Sequence, residues 1–184
     1  MLRPSLAALA CLLLTTAPLR AQSSFSLDLN LSSGTGGGGD YVAREHLDGR
    51  RLAFAWRHIR SPSRAGFFVE GAADALAWSR KVNLVCVVGA HGTCLPPFPG
   101  FGGLSVVGGL LLLPASRVEL RASVGGGRYV SEHDPAAALL GQVDGTVFPL
   151  AHWGLTIGTR YIAFPSFRGD ALHERAITVG IRVR

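Results

Sequence analysis

Apolar and polar residues alternate with a period of two along most of the chain after residue 21. Near the start, Phe25, Leu27, Leu29 and Leu31 alternate with Ser26, Asp28 and Asn30. Near the end, Ile177, Val179, Ile181 and Val183 alternate with Thr178, Gly180 and Arg182. This period is typical of β-strands that face two different environments. Helical spacing is nearly absent, so the pattern predicts an all-β domain.

Between these two strands, six further segments have the same character: Arg51–Arg60, Gly66–Trp78, Phe101–Leu113, Arg117–Val130, Val143–Leu150 and Trp153–Phe164. The connections predicted to be long are Ser32–Arg50, Ser79–Gly100 and Ser131–Gln142, with a medium one at Pro165–Leu172 and short ones at Ser61–Ala65, Pro114–Ser116 and Ala151–His152. Because both ends of the domain are strands, the first and last can pair and close the sheet. We therefore predict an eight-stranded antiparallel up-and-down β-barrel with long and short connections at opposite ends.

The first 21 residues have the order of a secretory signal peptide. Arg3 precedes an apolar run from Leu6 to Leu14, and Ala21 provides a small residue before the predicted cleavage point. Cys11 lies inside the apolar run rather than at its end, which argues against a lipoprotein. We predict that residues 1–21 are removed on export and that residues 22–184 form the barrel domain.

Composition agrees with one folded domain, since 48% of the residues are hydrophobic and 16% are charged. The longest later apolar stretch, Leu104–Ala115, includes glycine and proline and falls short of the roughly 20 residues that a spanning helix needs. If the mature chain enters a membrane, it must do so as a closed barrel. The net charge of +6 includes Arg3 and Arg20 of the leader and forms no basic run, so no nucleic-acid partner is indicated.

The number and spacing of the strands and the alternating connections resemble the small eight-stranded outer-membrane barrels of the OmpA and OmpX type, over essentially the whole mature chain. That resemblance implies location in the outer membrane of a diderm bacterium, with short turns in the periplasm and long loops outside. It also implies contact with outer-membrane lipid and with the outer-membrane assembly machinery. Such barrels commonly end on an aromatic residue, whereas this chain ends Val183-Arg184.

Assigning the more apolar face of each strand to lipid leaves charged residues pointing inward. They are the acids Asp28, Glu70, Asp74, Glu119 and Asp144, and the arginines Arg51, Arg57, Arg121, Arg160 and Arg182. An eight-stranded barrel is just wide enough for side chains to fill its interior, and buried charges persist when they are paired. We predict a lumen plugged by paired charges. Acid–base chemistry by Glu70 and Asp74, or ion selection by the arginines, is the alternative, although such chemistry needs a cleft with substrate access.

Outward aromatic residues are expected at the two borders of the apolar face, as an aromatic girdle. The candidates are Phe25, Phe54, Trp56, Phe67, Trp153 and Tyr161. The same residues could instead form the core of a soluble β-sandwich, which is the main structural alternative.

Cys86 and Cys94 remain after cleavage and lie in the second predicted long loop. An exported cysteine pair favours a disulfide, whose main effect would be to stiffen that loop. Cys86, His91 and Cys94 fit no usual zinc spacing. No metal or other cofactor is predicted.

Two further patterns bear on enzymatic chemistry. Gly34, Gly36 and Gly39 fit a dinucleotide-binding pattern, but no crossover helix follows and the segment is expected to be an external loop. Ser131, His133 and Asp134 could form a Ser/His/acid set in a lipid A-modifying enzyme. Positions so close in sequence rarely converge on one point, so a solvated polar loop is expected there instead.

The sequence therefore favours a non-enzymatic outer-membrane barrel with a structural or surface-interaction role. An external protein or surface ligand would bind the long loops. The exposed contact candidates, near the predicted disulfide, are Pro96, Pro97, Phe98, Pro99 and Phe101. Two alternatives remain: a soluble periplasmic barrel that binds a small apolar ligand, and a lipid A-modifying outer-membrane enzyme.

Overall fold

A computed structural model describes residues 21–38, 45–60, 63–78, 100–131 and 134–184. These residues form eight strands: β1 (Ala21–Gly37), β2 (Glu45–Arg60), β3 (Ala65–Trp78), β4 (Phe101–Ala115), β5 (Val118–Ser131), β6 (Asp134–Val147), β7 (Trp153–Phe167) and β8 (Asp170–Val183). Each strand pairs antiparallel with its neighbours in sequence, and β1 pairs with β8. The predicted eight-stranded up-and-down barrel is confirmed.

Strand pairing fixes how strongly the barrel is sheared. Starting from Asn30 on β1 and following paired residues through β2 to β5, the path reaches Ala136 on β6. Following them the other way, through β8 and β7, it reaches Thr146 on the same strand. The two end points are ten positions apart, so the strands are strongly tilted, as closed barrels require.

The connections lie at two ends of the barrel. The strands that flank residues 61–64, 116–117 and 148–152 meet at one end of the barrel, the turn end. The strands that flank residues 38–44, 79–100, 132–133 and 168–169 meet at the other end, the loop end. The predicted loops Ser32–Arg50, Ser131–Gln142 and Pro165–Leu172 are wrong, because strand residues fill most of each segment. Polar outward residues such as Ser33 and Asp48 resemble a loop in sequence, yet they continue the backbone ladder beyond the apolar face.

Side chains alternate between an apolar outer face and a filled interior. Every strand exposes large hydrophobic residues, exemplified by Leu29, Phe54, Val124 and Ile157. The opposite parity places charged and small polar residues inside, together with an apolar layer near the loop end. No helix in the described ranges is long and apolar enough to cross a membrane.

Candidate functional site

Glu119, near the turn end of β5, is the centre of one buried charge cluster. Its carboxylate accepts hydrogen bonds from Arg121 Nε at 2.6 Å and Arg182 Nη1 at 3.1 Å, and it also pairs with Arg57. Three guanidinium groups on β2, β5 and β8 therefore converge on one carboxylate across the lumen. We call this group, with Asp28 and Asp144, the turn-side cluster.

Arg182 joins most of the turn-side cluster. Its Nε donates to Asp28 Oδ1 at 2.8 Å, and its Nη2 donates to Asp144 Oδ1 at 3.0 Å. Nη1 also donates to the Thr146 hydroxyl at 2.6 Å. A guanidinium presents five donors in a fixed fork, so one arginine can satisfy acceptors on several strands at once.

Asp74, closer to the loop end, is the centre of a second group, the loop-side cluster. Arg51 Nη1 lies 2.9 Å from both carboxylate oxygens, and Arg160 Nη1 lies 2.9 Å from Oδ1. The hydroxyls of Ser105 and Tyr129 each donate to Oδ2 at 2.8 Å. Five hydrogen bonds from four donor groups hold this carboxylate, so it is not available as a proton acceptor for a substrate.

Glu70 connects the two clusters. Its Oε1 lies 2.7 Å from Arg51 Nη2, and its Oε2 lies 3.5 Å from Arg121 Nη1. A continuous network of ion pairs therefore extends along the lumen. Since Glu70 and Asp74 both bind Arg51, neither is presented to an open cleft.

All ten charged residues assigned inward from the alternation lie in the interior, and none is more than 6% exposed. The structure adds Glu174, which is 1% exposed and lies 3.4 Å from Arg160 Nη2. Sequence reasoning missed this residue because it placed the start of the last strand at Ile177, three residues too late to include it. Continuing the parity of that strand backwards would have placed Glu174 inside.

Arg184 and Phe148 lie together at the turn-end mouth of the lumen. The guanidinium carbon of Arg184 lies 3.5 Å from the centroid of the Phe148 ring, and its Nη1 lies 3.8 Å from Glu119 Oε2. The Arg184 backbone NH donates to the His152 carbonyl at 3.0 Å. Partial burial lowers the pKa of Arg184 from its usual range, and Glu119 opposes that shift.

Aromatic and aliphatic side chains fill the lumen near the loop end. Phe101 stacks on Phe164 at 4.2 Å between ring centroids and contacts Phe167 edge-on at 5.1 Å. The prediction that Phe101 is an exposed contact residue is wrong, since it is 2% exposed. It is the first residue of β4 and has the same parity as the inward residues Ser105 and Val107.

The six predicted girdle aromatics point outward, though not all at the borders of the apolar face. Phe25 stacks on Phe54 at 5.2 Å, and Trp56 contacts Phe67 edge-on at 5.5 Å. These four rings and Trp153, the first residue of β7, lie in the half of the barrel nearer the turn end. Tyr161 lies nearer the loop end, with Arg175 over its ring.

The candidate enzymatic and loop residues are only partly within the described ranges. Ser131 is 2% exposed at the end of β5, so the expected solvated loop is wrong at this position. Asp134 pairs with Arg168 at 2.6 Å on the surface. Gly34 and Gly36 belong to β1 rather than to an external loop. The remaining predictions, at residues 1–20, Gly39, Cys86, His91, Cys94, Pro96, Pro97, Phe98, Pro99 and His133, fall outside the described residues.

No protein-family model matches the chain, and no curated protein matches its sequence. Solved structures do match its fold. Neisserial surface protein A superposes with a TM-score of 0.59 at 12% identity, over 88% of this chain and 98% of that one. The attachment invasion locus protein Ail of Yersinia pestis gives a TM-score of 0.52 at 14% identity, over 86% of this chain and 97% of that one.

A second structure of Ail, in complex with the heparin analogue sucrose octasulfate, gives a TM-score of 0.51 at 15% identity, over 88% of this chain and 99% of that one. Both neighbours are small eight-stranded outer-membrane barrels of Gram-negative bacteria. At such low identity the likeness establishes architecture alone. The chain has the fold of the small eight-stranded outer-membrane β-barrels.

Proposed function

We propose that this protein is a non-enzymatic outer-membrane barrel with a closed lumen, whose loop end interacts with external molecules. The observation that carries this proposal is the inside-out distribution of side chains. Large apolar residues face outward on all eight strands, whereas eleven charged residues on those strands lie inside. An apolar face of this extent needs lipid around it, because water would make it an aggregation site.

The interior supports a closed lumen. The turn-side and loop-side clusters follow one another along the barrel, linked by Glu70, and the aromatic layer around Phe101 and Phe164 lies beyond them. The six inward carboxylates face five inward arginines, with Arg184 at the mouth. Opposite charges in near balance hold side chains across the lumen and leave no row of like charges to conduct an ion.

A non-enzymatic role is supported by the same contacts. The carboxylates best placed for acid–base chemistry, Glu70 and Asp74, are buried and held by arginines. The neighbours Neisserial surface protein A and Ail are also non-enzymatic outer-membrane proteins. A lipid A-modifying activity at Ser131 and His133 remains the alternative, and deacylation of purified lipid A that His133→Ala abolishes would establish it.

A role in surface interaction rests on the loop end. The connection at residues 79–100 is the longest between strands and carries Cys86, Cys94 and the Pro96–Pro99 segment. Ail binds the heparin analogue sucrose octasulfate in one of its structures, so a barrel of this fold can bind an external ligand. We assign the contact with an external protein or surface ligand to residues 79–100 and 38–44 of this chain.

Export and membrane assembly complete the proposal. Residues 1–21 would direct secretion and be removed, and the outer-membrane assembly machinery would insert the barrel. The outward aromatics at the turn end, including Trp56 and Trp153, would anchor the barrel at the periplasmic border of the membrane.

The first test is gel migration of protein from a washed outer-membrane fraction, with and without boiling in SDS. A closed membrane barrel is expected to stay folded in cold detergent and to shift on heating. Recovery in the soluble periplasmic fraction without a heat shift would contradict the proposal and favour a soluble barrel that binds an apolar ligand.

Conductance and loop function need separate measurements. In planar bilayers the purified barrel is expected to give no stable large current, and such a current would exclude a closed lumen.

Replacing residues 79–100 by a Gly–Ser segment of equal length is expected to abolish binding to cells or immobilised surface ligands while the heat shift remains. Unchanged binding would place the contact elsewhere.

A further inference from the structure

A long shallow groove crosses the outer wall of the barrel from β4, through β5 to β8, to β1. It lies between two rows of outward residues, one running from Leu110 to Ser33 and the other from Gly108 to Thr35. Backbone of the inward residues between the rows forms its floor. The groove has a volume of about 990 Å³ and is open to the surroundings of the barrel.

Small residues make the groove wide enough for a chain-like ligand. Gly141 is at its centre, and a Cβ added there would meet no atom within 4 Å. At Gly108 the nearest atom to an added Cβ is a backbone oxygen at 3.8 Å. Leu110, Val124 and Val143 form apolar walls beside these open positions, so the middle of the groove offers dispersion contacts to hydrocarbon.

A cation lies at the loop-side end of the groove. The guanidinium carbon of Arg175 is 5.7 Å from the centroid of the Tyr161 ring, and the side chain is exposed. Within the described part of the chain, no carboxylate forms an ion pair with it. Among the outward large aliphatic residues of β8, Ile177 lies nearest the loop end. Arg175 is the next outward residue beyond it, so Arg175 lies at the border of the apolar face.

We infer that the groove binds one acyl chain of a phosphate-bearing membrane lipid, with the phosphate on Arg175. Hydrocarbon fits the apolar walls, and a guanidinium makes strong charge-assisted hydrogen bonds to phosphate. The Arg175 guanidinium lies over the face of the Tyr161 ring, in a cation–π contact. This inference rests on the proposed membrane location, because the groove must face lipid.

Two variants test separately the contributions of the acyl chain and of the lipid headgroup to binding. Gly141→Leu fills the groove at a position with free space, and Arg175→Gln removes the charge at its end. Each has a matched control outside the groove. Gly71 on β3 also faces outward with no atom within 4 Å of an added Cβ, so Gly71→Leu controls for added bulk. Arg128 on β5 is an exposed outward arginine, so Arg128→Gln controls for lost charge.

The measurement is native mass spectrometry of the folded barrel released from non-ionic detergent, titrated with dimyristoyl phosphatidic acid. One lipid is expected to bind, about ten-fold more weakly to Gly141→Leu and to Arg175→Gln, since each change removes a main contact. Both controls are expected to bind like the original protein. Dimyristoylglycerol, which lacks the phosphate, is expected to bind weakly, and inorganic phosphate alone is expected not to compete.

Several results would overturn the inference. Unchanged lipid binding by Gly141→Leu would exclude the groove as the lipid site. Equal losses of binding in Gly141→Leu and Gly71→Leu would indicate a nonspecific effect of added bulk on the surface. Full competition by inorganic phosphate would indicate an anion site without an acyl chain, and equal binding of dimyristoylglycerol would exclude the role of Arg175. The heat shift on gels is measured for every variant. If the shift is present and lipid binding fails, the barrel proposal stands and only the lipid site is rejected.

Discussion

Asp28 and Arg182 lie directly opposite each other on β1 and β8, and Arg182 Nε donates to Asp28 Oδ1 at 2.8 Å. These two strands form the pair that closes the barrel. The ion pair therefore joins the first strand to the last inside the lumen, and its strength bears directly on whether the barrel stays closed.

Replacing Arg182 by methionine is expected to lower the free energy of unfolding by about 3–5 kcal/mol, because Asp28, Glu119 and Asp144 lose a buried partner together. Unfolding by guanidinium chloride of the barrel in zwitterionic lipid vesicles measures the change in the free energy of unfolding. Arg128→Met, a substitution of an exposed outward arginine on β5, is the control and should change stability by less than about 1 kcal/mol. Equal effects of the two substitutions would mean that the turn-side cluster adds nothing to closure.

Tyr129→Phe is expected to cost about 1.5–3 kcal/mol, because it removes a hydrogen bond to the buried charged carboxylate of Asp74. Tyr161→Phe removes the hydroxyl of an outward tyrosine and should cost less than about 0.5 kcal/mol. The same unfolding experiment compares them. A cost for Tyr129→Phe no larger than that of Tyr161→Phe would contradict the described role of the Tyr129 hydroxyl in the loop-side cluster.

Gly103→Ala is expected to destabilise the barrel by about 1–3 kcal/mol through overpacking. An added Cβ would come within 2.4 Å of the Arg128 carbonyl oxygen and 2.7 Å of the Tyr129 ring, so the aromatic layer above the loop-side cluster would have to shift. Gly71→Ala adds the same methyl group into open space and serves as the control. The prediction fails if both glycine variants unfold at the same denaturant concentration.

Cys86 and Cys94 are predicted to form a disulfide in the exported protein. Iodoacetamide should label neither cysteine of the native mature protein, and reduction should add two labels by mass. Cys86→Ser should leave Cys94 open to labelling without reduction. Labelling of both cysteines in the unreduced protein would show that the pair remains as thiols.

Alternation alone carries much information in this sequence, because a closed barrel has just two environments for a side chain. It places Asp28 and Arg182 inside and Leu29 and Ile181 outside, and the structure has them there. It does not show where a strand ends, since backbone pairing continues past the apolar face. For that reason Glu174 lies before the predicted start of the last strand, and Ser131 lies in a predicted solvated loop although it ends β5.

The ion-pair partner of each inward charged residue also could not be predicted from the sequence. Asp74 lies opposite Arg51 on neighbouring strands, but Arg160, which binds the same carboxylate, comes from β7 across the lumen. Such contacts depend on the shear of the barrel, and shear follows from the register of all eight strands together. Alternation gives the face of a residue and not its height in the barrel.

Closure between β1 and β8 has a consequence for how the protein folds. Asp28 and Arg182 are separated by 154 positions in the chain. Contacts of such high sequence separation form slowly, because the intervening chain must first lose much of its conformational freedom. Until β8 arrives, the edge of β1 stays unpaired and Asp28 lacks its partner, so an incomplete barrel is prone to aggregate. Closure is therefore expected to be the last step of insertion, in which β8 pairs with β1 and Arg182 reaches Asp28.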